Sequence, residues 1–177
     1  MNMVNITDLK EKYKPIEKLS ESVYIVRWNL HQVVDKVKNE ETGEEKEVTS
    51  DVLASWTEEI VYGKPSIETI KQLITEWYNK QTDYNILIGF KWRGMEVWLS
   101  QENQFNYKAA YDLAIQTNGE SFPVKFKFGT VDNPIYHSFT TLDELTDFYT
   151  KALRFVNDTL EEGWNKKDSI DYNVYKI

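Results

Sequence analysis

Between residues 85 and 116 the apolar positions change period twice with almost no loop. Asn85–Trp92 reads as a strand, Arg93-Gly94 as a two-residue turn and Met95–Leu99 as the returning strand, and a helix opens at Ser100. A two-residue turn makes positions equidistant from it into cross-strand partners. Trp92 then faces Met95, Phe90 faces Val97 and Ile88 faces Leu99, all on one side of the pleat, while Lys91–Glu96 and Gly89–Trp98 share the other. A slip of one residue would set Lys91 against Met95 and scatter the apolar set, so the pattern specifies this register.

The rest of the chain repeats the order hairpin, then helix. Residues 1–21 are polar with a few apolar positions and Pro15, and predict a short helix at Ile6–Tyr13 or a loose arm. Val23–Leu30 alternates as a strand, with Tyr24, Val26, Trp28 and Leu30 on one face, and can continue through Val33, Val34 and Val37. Residues 38–47 form an acidic turn around Gly43, whose spacing does not match a calcium loop of the EF-hand type. In residues 48–62 the alternation of Trp56, Glu58, Ile60 and Tyr62 suits a strand returning on 22–37, although Leu53, Trp56 and Ile60 also fit a helix capped by Ser50.

Ser66 caps the next helix, whose stripe is Ile67, Ile70, Ile74, Trp77 and Tyr78; Gln81-Thr-Asp83 leads out of it into the 85–99 hairpin. The helix from Ser100 to about Thr117 carries two stripes side by side, Phe105-Ala109-Leu113 and Tyr107-Tyr111-Ile115, and stops at Asn118-Gly119. Phe122–Phe128 and Ile135–Phe139 form a third strand pair, with Phe122, Val124, Phe126 and Phe128 on one face. Thr141-Leu-Asp-Glu144 is a capping box for a long helix with Leu145, Phe148, Tyr149, Ala152, Val156 and Leu160 inward, ending at Gly163. A last short strand is expected at Ile170–Val174. The fold class is α+β: an antiparallel sheet built of hairpins, with helices packed on one face. The domain reading is an N-terminal arm over 1–21 and one domain over 22–177, made of a hairpin region (22–65) and the remainder (66–177). The three hairpin–helix units do not match one another at fixed spacing, so they are not a repeat.

Charge and composition remove function classes. A net charge of −8 over 177 residues argues against sequence-independent nucleic-acid binding. The absence of cysteine excludes disulfides, thiol catalysis and cysteine-based metal sites. No basic leader followed by an apolar run opens the chain, and no apolar stretch is long enough to span a bilayer, so neither a signal peptide nor a membrane partner is expected. The two histidines, His31 and His137, lack metal-ligand spacing. His137 sits on the inward face of its strand, where it would need a nucleophile and an orienting carboxylate to act as a base. Neither a phosphate-cradling glycine loop nor Gly-x-Ser-x-Gly is present. No catalytic, cofactor or metal residue is therefore nominated. The aromatic content (6 Trp, 11 Tyr, 8 Phe) is the unusual feature. Trp28, Trp77 and Trp92 are assigned to the core, and Trp98, Tyr107 and Tyr111 are nominated as a candidate interaction surface.

The run from Gly89 through Ala114, and within it Ser100–Ala114 above all, resembles an uncharacterised domain family of tailed-phage and prophage regions of gut bacteria, often near tail genes. Val124–Gly129, Tyr136–Phe139, Phe148-Tyr149, Gly163-Trp164 and Lys167-Asp168 extend the resemblance, which covers roughly residues 60–172 and is weaker over the N-terminal 50. It carries no catalytic residue over. It implies a structural or tail-accessory role, a protein partner or self-association, and a place in the host cytoplasm or the virion. Two other classes stay in play: a small carbohydrate- or peptide-binding module using exposed aromatics, and a hydrolase around His137, which would need Asp or Glu beside that ring.

Overall fold

A computed structural model describes residues 3–38 and 45–176. In chain order the elements are β1 (Val4–Leu9), β2 (Ile16–Ser20), β3 (Val23–Lys38), β4 (Glu45–Tyr62), α1 (Ile67–Gly89), β5 (Lys91–Trp92), β6 (Met95–Glu96), α2 (Gln101–Gln116), β7 (Val124–Gly129), β8 (Pro134–Phe139) and α3 (Leu142–Asp168). Short 3-10 turns lie at Lys10–Lys12 and Tyr172–Tyr175. The class is α+β, and strand pair followed by helix recurs three times, as the pattern predicts. The hairpins are not one sheet, however. Among the described residues they form a four-stranded antiparallel sheet and two separate two-stranded ones. The sequence groups 22–177 as one domain; the fold divides into two compact units, one of residues up to Thr75 with those from Asp171 on, the other Glu76–Ile170.

In the first unit the strand order is β1-β4-β3-β2. The expected arm or helix over 1–21 is instead two edge strands: Val4–Leu9 pairs with Glu58–Leu53, and Ile16–Ser20 with Val26–Val23. Alternation in Val4-Asn5-Ile6-Thr7 is the signal that competed with helical spacing, and pairing with β4 decides it. Asn5 and the Ile6 carbonyl accept hydrogen bonds from Thr57 and Ser55. Residues 48–62 are the return strand, not a helix. Tyr24, Val26 and Trp28 are buried as one face. Leu30 leaves that face because the register shifts after Trp28, where Asn29 takes a positive φ of 56°. The acidic turn around Gly43 lies outside the described residues. The expected strand at Ile170–Val174 is the Tyr172–Tyr175 turn, capped by Asp171.

In the second unit the 85–99 hairpin is shorter than expected. Asn85–Gly89 is the end of α1, not strand. Thr82, Ile86 and Phe90 lie at steps of four, with Ile86 and Phe90 buried in this unit's core and Thr82 against Gly163, and the apolar run Ile86-Leu87-Ile88 yields to that packing. Ile88 is consequently 39% exposed and does not oppose Leu99. The register around the turn is the expected one, Lys91↔Glu96 and Trp92↔Met95, continued by a hydrogen bond from Val97 N to Phe90 O (3.0 Å). Arg93 and Gly94 both have positive φ, 51° and 79°, as a primed two-residue turn requires. Phe90, Trp92, Val97 and Leu99 join Phe128, Phe139, Leu145, Phe148 and Ala152 in a single core.

Gly163 does not end α3. The helix continues to Asp168, and Gly163 is buried inside it. A Cβ there would run into Thr82 Oγ1 and come within 3.0 Å of Thr82 Cγ2. At the other end of the same crossing Gly89 faces Phe155, and Lys167 Nζ donates to Asn79 Oδ1 (2.6 Å). Ascending α1 from 79 to 89 thus descends α3 from 167 to 155, so the two segments are antiparallel and close at their glycines.

Candidate interaction surface

Helix α2 begins at Ser100, whose hydroxyl accepts from Asn103 N (3.2 Å). It ends where Gly119 N donates to Ala114 O (2.8 Å), with Asn118 and Gly119 both at positive φ. Of the expected stripe Tyr107-Tyr111-Ile115 the core takes Tyr107, together with Ala114, while Tyr111 is half-buried and Ile115 is 46% exposed. Tyr107 is 3% exposed and packs edge-on against Phe126 (4.7 Å) and Phe148 (5.0 Å). Burial raises its phenol pKa to about 12. Tyr107 is therefore a core residue and is removed from the expected surface set. Tyr111 is half-buried and stacked on Tyr149 at 4.7 Å, which leaves it little free face. Trp98 is 44% exposed, as its expected direction away from Phe90 requires.

The stripe Phe105-Ala109-Leu113 points the other way. At 3.6 residues per turn Phe105 and Ala109 lie nearly half a turn from Tyr107 and Leu113 about a third of a turn. Phe105 is 70% exposed and Leu113 51%. Lys108 and Asp112, one turn apart, pair along one flank of this face (2.5 Å). Beside that flank a groove of about 240 Å³ runs between α2 and α3, lined by Leu99, Phe105, Lys108, Tyr149, Leu153 and Val156 among others. Leu153 is itself half exposed. Both stripes are legible in the sequence; that the core takes Tyr107 and leaves Phe105, Leu113 and Ile115 outside is not, because both stripes have helical spacing. The decisive feature lies elsewhere in the chain, in the rings of Phe126 and Phe148.

His137 has the carboxylate neighbour that a hydrolase reading requires. Its Nε2 is 3.2 Å from Glu144 Oε1. The same oxygen accepts from Arg93 Nη1 at 2.6 Å, and the Arg93 guanidinium lies over the Trp92 ring at 4.4 Å. Glu144 of the capping box thus turns to a cation and an imidazole. The His137 ring is otherwise enclosed by Trp92 (5.1 Å), Phe139 (4.7 Å) and Phe128 (6.2 Å). Trp92 Nε1 donates to Asp147 Oδ2 (3.0 Å), and bonds from Lys151 and then Trp92 hold the Asp147 carboxyl below its ordinary value. The group ties the β5–β6 hairpin to the first two turns of α3, and the hydrogen bond that His137 makes through Nε2 goes to a carboxylate and not to a hydroxyl.

The first unit holds a second polar cluster that periodicity does not flag. Arg27 Nε donates to Glu58 Oε2 and its Nη1 to Glu17 Oε2, both at 2.8 Å. Its carbonyl accepts from Tyr13 and Tyr175 hydroxyls (3.1 and 2.8 Å). Burial opposes the Arg27 charge, but Glu58 and Glu17 outweigh it, so its pKa is raised. The concavity around it carries Asp8–Lys12 and Lys14–Glu17 pairs, an arrangement of matched charges that joins β2, β3 and β4. Its sequence signal is an arginine inside the otherwise apolar run Val23–Trp28.

Among the described residues no group of three or more metal-ligating side chains converges, and no helix is long and apolar enough to cross a membrane. No family model, no curated protein and no solved structure matches the chain.

Proposed function

We propose that this chain is a structural or accessory protein of a tailed-phage particle, acting by protein contact and not by catalysis. The observation that carries the reading is the outward Phe105-Ala109-Leu113 stripe of α2. An aromatic and a leucine spaced along a well-capped helix, with an apolar groove beside them, supply the anchor-and-pocket arrangement that protein interfaces use. The resemblance over residues 60–172, strongest over Ser100–Ala114, supports the phage context and falls on the helix that carries the stripe. The acidic charge and the absence of cysteine suit a particle protein assembled in a host cytoplasm. The test is mass spectrometry of purified particles and tail-assembly intermediates from a host carrying the gene, with wild type and Phe105→Asp. Wild type is expected in one of the two fractions and Phe105→Asp is expected to be depleted. A chain missing from both, in a strain whose particles assemble normally without it, would refute the reading.

A second reading, hydrolysis at His137, is favoured only by the Glu144 contact. It requires His137→Ala to abolish a turnover that the wild-type chain performs. Ordinary turnover by that variant, or none by either protein across esterase, peptidase and glycosidase substrates, removes it.

A further inference from the structure

The outward face of α2 is self-complementary. Phe105, Ala109 and Leu113 are spaced by four, with the small residue in the middle. Lys108 and Asp112 lie on the same flank, displaced to opposite sides of Ala109 along the helix. Set two such helices face to face and antiparallel, related by a two-fold axis beside Ala109. The operation reverses the direction along the helix and keeps the flank. Phe105 of each copy then meets Leu113 of the other, and Lys108 of each comes within reach of Asp112 of the other. Ala109 at the crossing permits an axis separation near the low end of the usual roughly 8–10 Å. A parallel pair would bring the charged flank of one copy against the opposite flank of the other and lose both ion pairs. An isologous contact of this kind uses one surface patch twice.

We propose that the partner of this face is a second copy of the same chain, docked through an antiparallel α2–α2 pair centred on Ala109. The inference rests on the reading of α2 as the interaction face and names what covers it. Leu153 and Val156 of α3 border the same flank, so the groove beside Phe105 opens toward the partner helix and gives its apolar side chains a place to enter. The charge pattern argues for a copy over an unrelated protein: the cation one residue before the central alanine and the anion three after it fall only about 3 Å out of register under the two-fold, an offset the long lysine side chain spans.

Sedimentation velocity over a wide concentration range tests this on the full chain, with circular dichroism confirming that each variant is folded. Wild type is expected to dimerise. Phe105→Asp is expected to weaken the dimer by at least about tenfold, the loss a central aromatic anchor carries. Lys108→Glu and Asp112→Lys are each expected to weaken self-association, because each sets like charges against each other across the axis. Mixed together, those two variants are expected to form a heterodimer. The carboxylate introduced at 108 in one chain then faces the ammonium introduced at 112 in the other, while the Asp112 and Lys108 that each retains still pair. Restoring an ion pair within one helix cannot produce that result. A wild-type monomer at every concentration would overturn the proposal, as would a dimer indifferent to all three substitutions or single charge variants that associate no better mixed than alone. A monomer that nonetheless enters particles would overturn self-pairing and leave the particle reading standing; a dimer that never enters them would do the reverse.

Discussion

Gly163→Ala tests the packing of α3 on the second half of α1, the contact that the sequence pattern concealed. In an open helix the substitution would gain about 1 kcal/mol from propensity. Here the new methyl would collide with Thr82 Oγ1 and lie 3.0 Å from Cγ2 and 3.2 Å from Cβ of the same residue. Rotating Thr82 about χ1 exchanges one branch for the other and relieves little; it also breaks the bond from Thr82 Oγ1 to Tyr78 O (2.9 Å). Overpacking of this kind costs about 1–3 kcal/mol. Set against the propensity gain, the net expectation is a loss of up to about 2 kcal/mol. In a Thr82→Ala background both clashing branch atoms are gone, and Gly163→Ala should become neutral or stabilising by up to about 1 kcal/mol. The coupling energy between the two sites, from urea unfolding of the four proteins, is therefore expected at about 1–3 kcal/mol. A Gly163→Ala that stabilises the wild-type background, or a coupling below about 0.3 kcal/mol, would mean that the helices do not touch there.

Three further outcomes follow from the titrating and charged groups. The Tyr107 phenol, raised by burial from 10.0 to about 12, adds stability that is whole below pH 10 and is lost as pH rises through the folded value. A shift of that size is worth up to about 2.7 kcal/mol, so stability measured by urea titration from neutral pH upward should fall above pH 10 and fall less in Tyr107→Phe; equal slopes would contradict the buried phenol. Asp147 is held below its ordinary 3.8 by Lys151 and Trp92. Its contribution is present above that value and is lost as pH falls through the lowered one, so Asp147→Asn should flatten the acid limb of a tryptophan-fluorescence unfolding profile, and an unchanged limb would sink the assignment. Arg27→Met strands Glu58 and Glu17 and should cost about 2–3 kcal/mol, whereas Glu17→Gln, at a more exposed site, should cost about 1 kcal/mol or less; the reverse order in thermal melts would show that the network is not centred on Arg27.

The sequence is most readable where one local signal has no rival. Ser66, Ser100 and Thr141 cap the helices expected of them, accepting from Thr69, Asn103 and Glu144 N–H groups respectively, and Arg93-Gly94 sets the register of its hairpin. It misleads where two periods fit the same residues. Ile86-Leu87-Ile88 suits a strand by composition, yet it continues a helical stripe whose partner is α3. Gly163 looks like a helix stop, because sequence cannot distinguish a glycine that ends a helix from one that lets a second helix approach. Val4–Leu9 is ambiguous for want of its partner, since the residues that pair with it lie about fifty positions on, in β4. The candidate surface shows the same limit. Trp98 is placed by alternation alone and is exposed, whereas Tyr107 sits on a helix with two equivalent stripes and goes to the core. Phe105, the most exposed of the large apolar residues of α2, belongs to the stripe that alternation and spacing left without a nomination.

The central claim, that the outer stripe of α2 meets its own copy, is tested most directly by disulfide trapping at its centre. The chain has no cysteine, so Ala109→Cys introduces a single thiol, and a two-fold axis beside it brings the two copies' Cα atoms near the roughly 4.4–6.8 Å range a disulfide needs. Under mild oxidation Ala109→Cys is expected to give a covalent dimer far faster than Asp158→Cys, an exposed site on α3. Cross-linking at 109 no faster than at 158 would contradict the account.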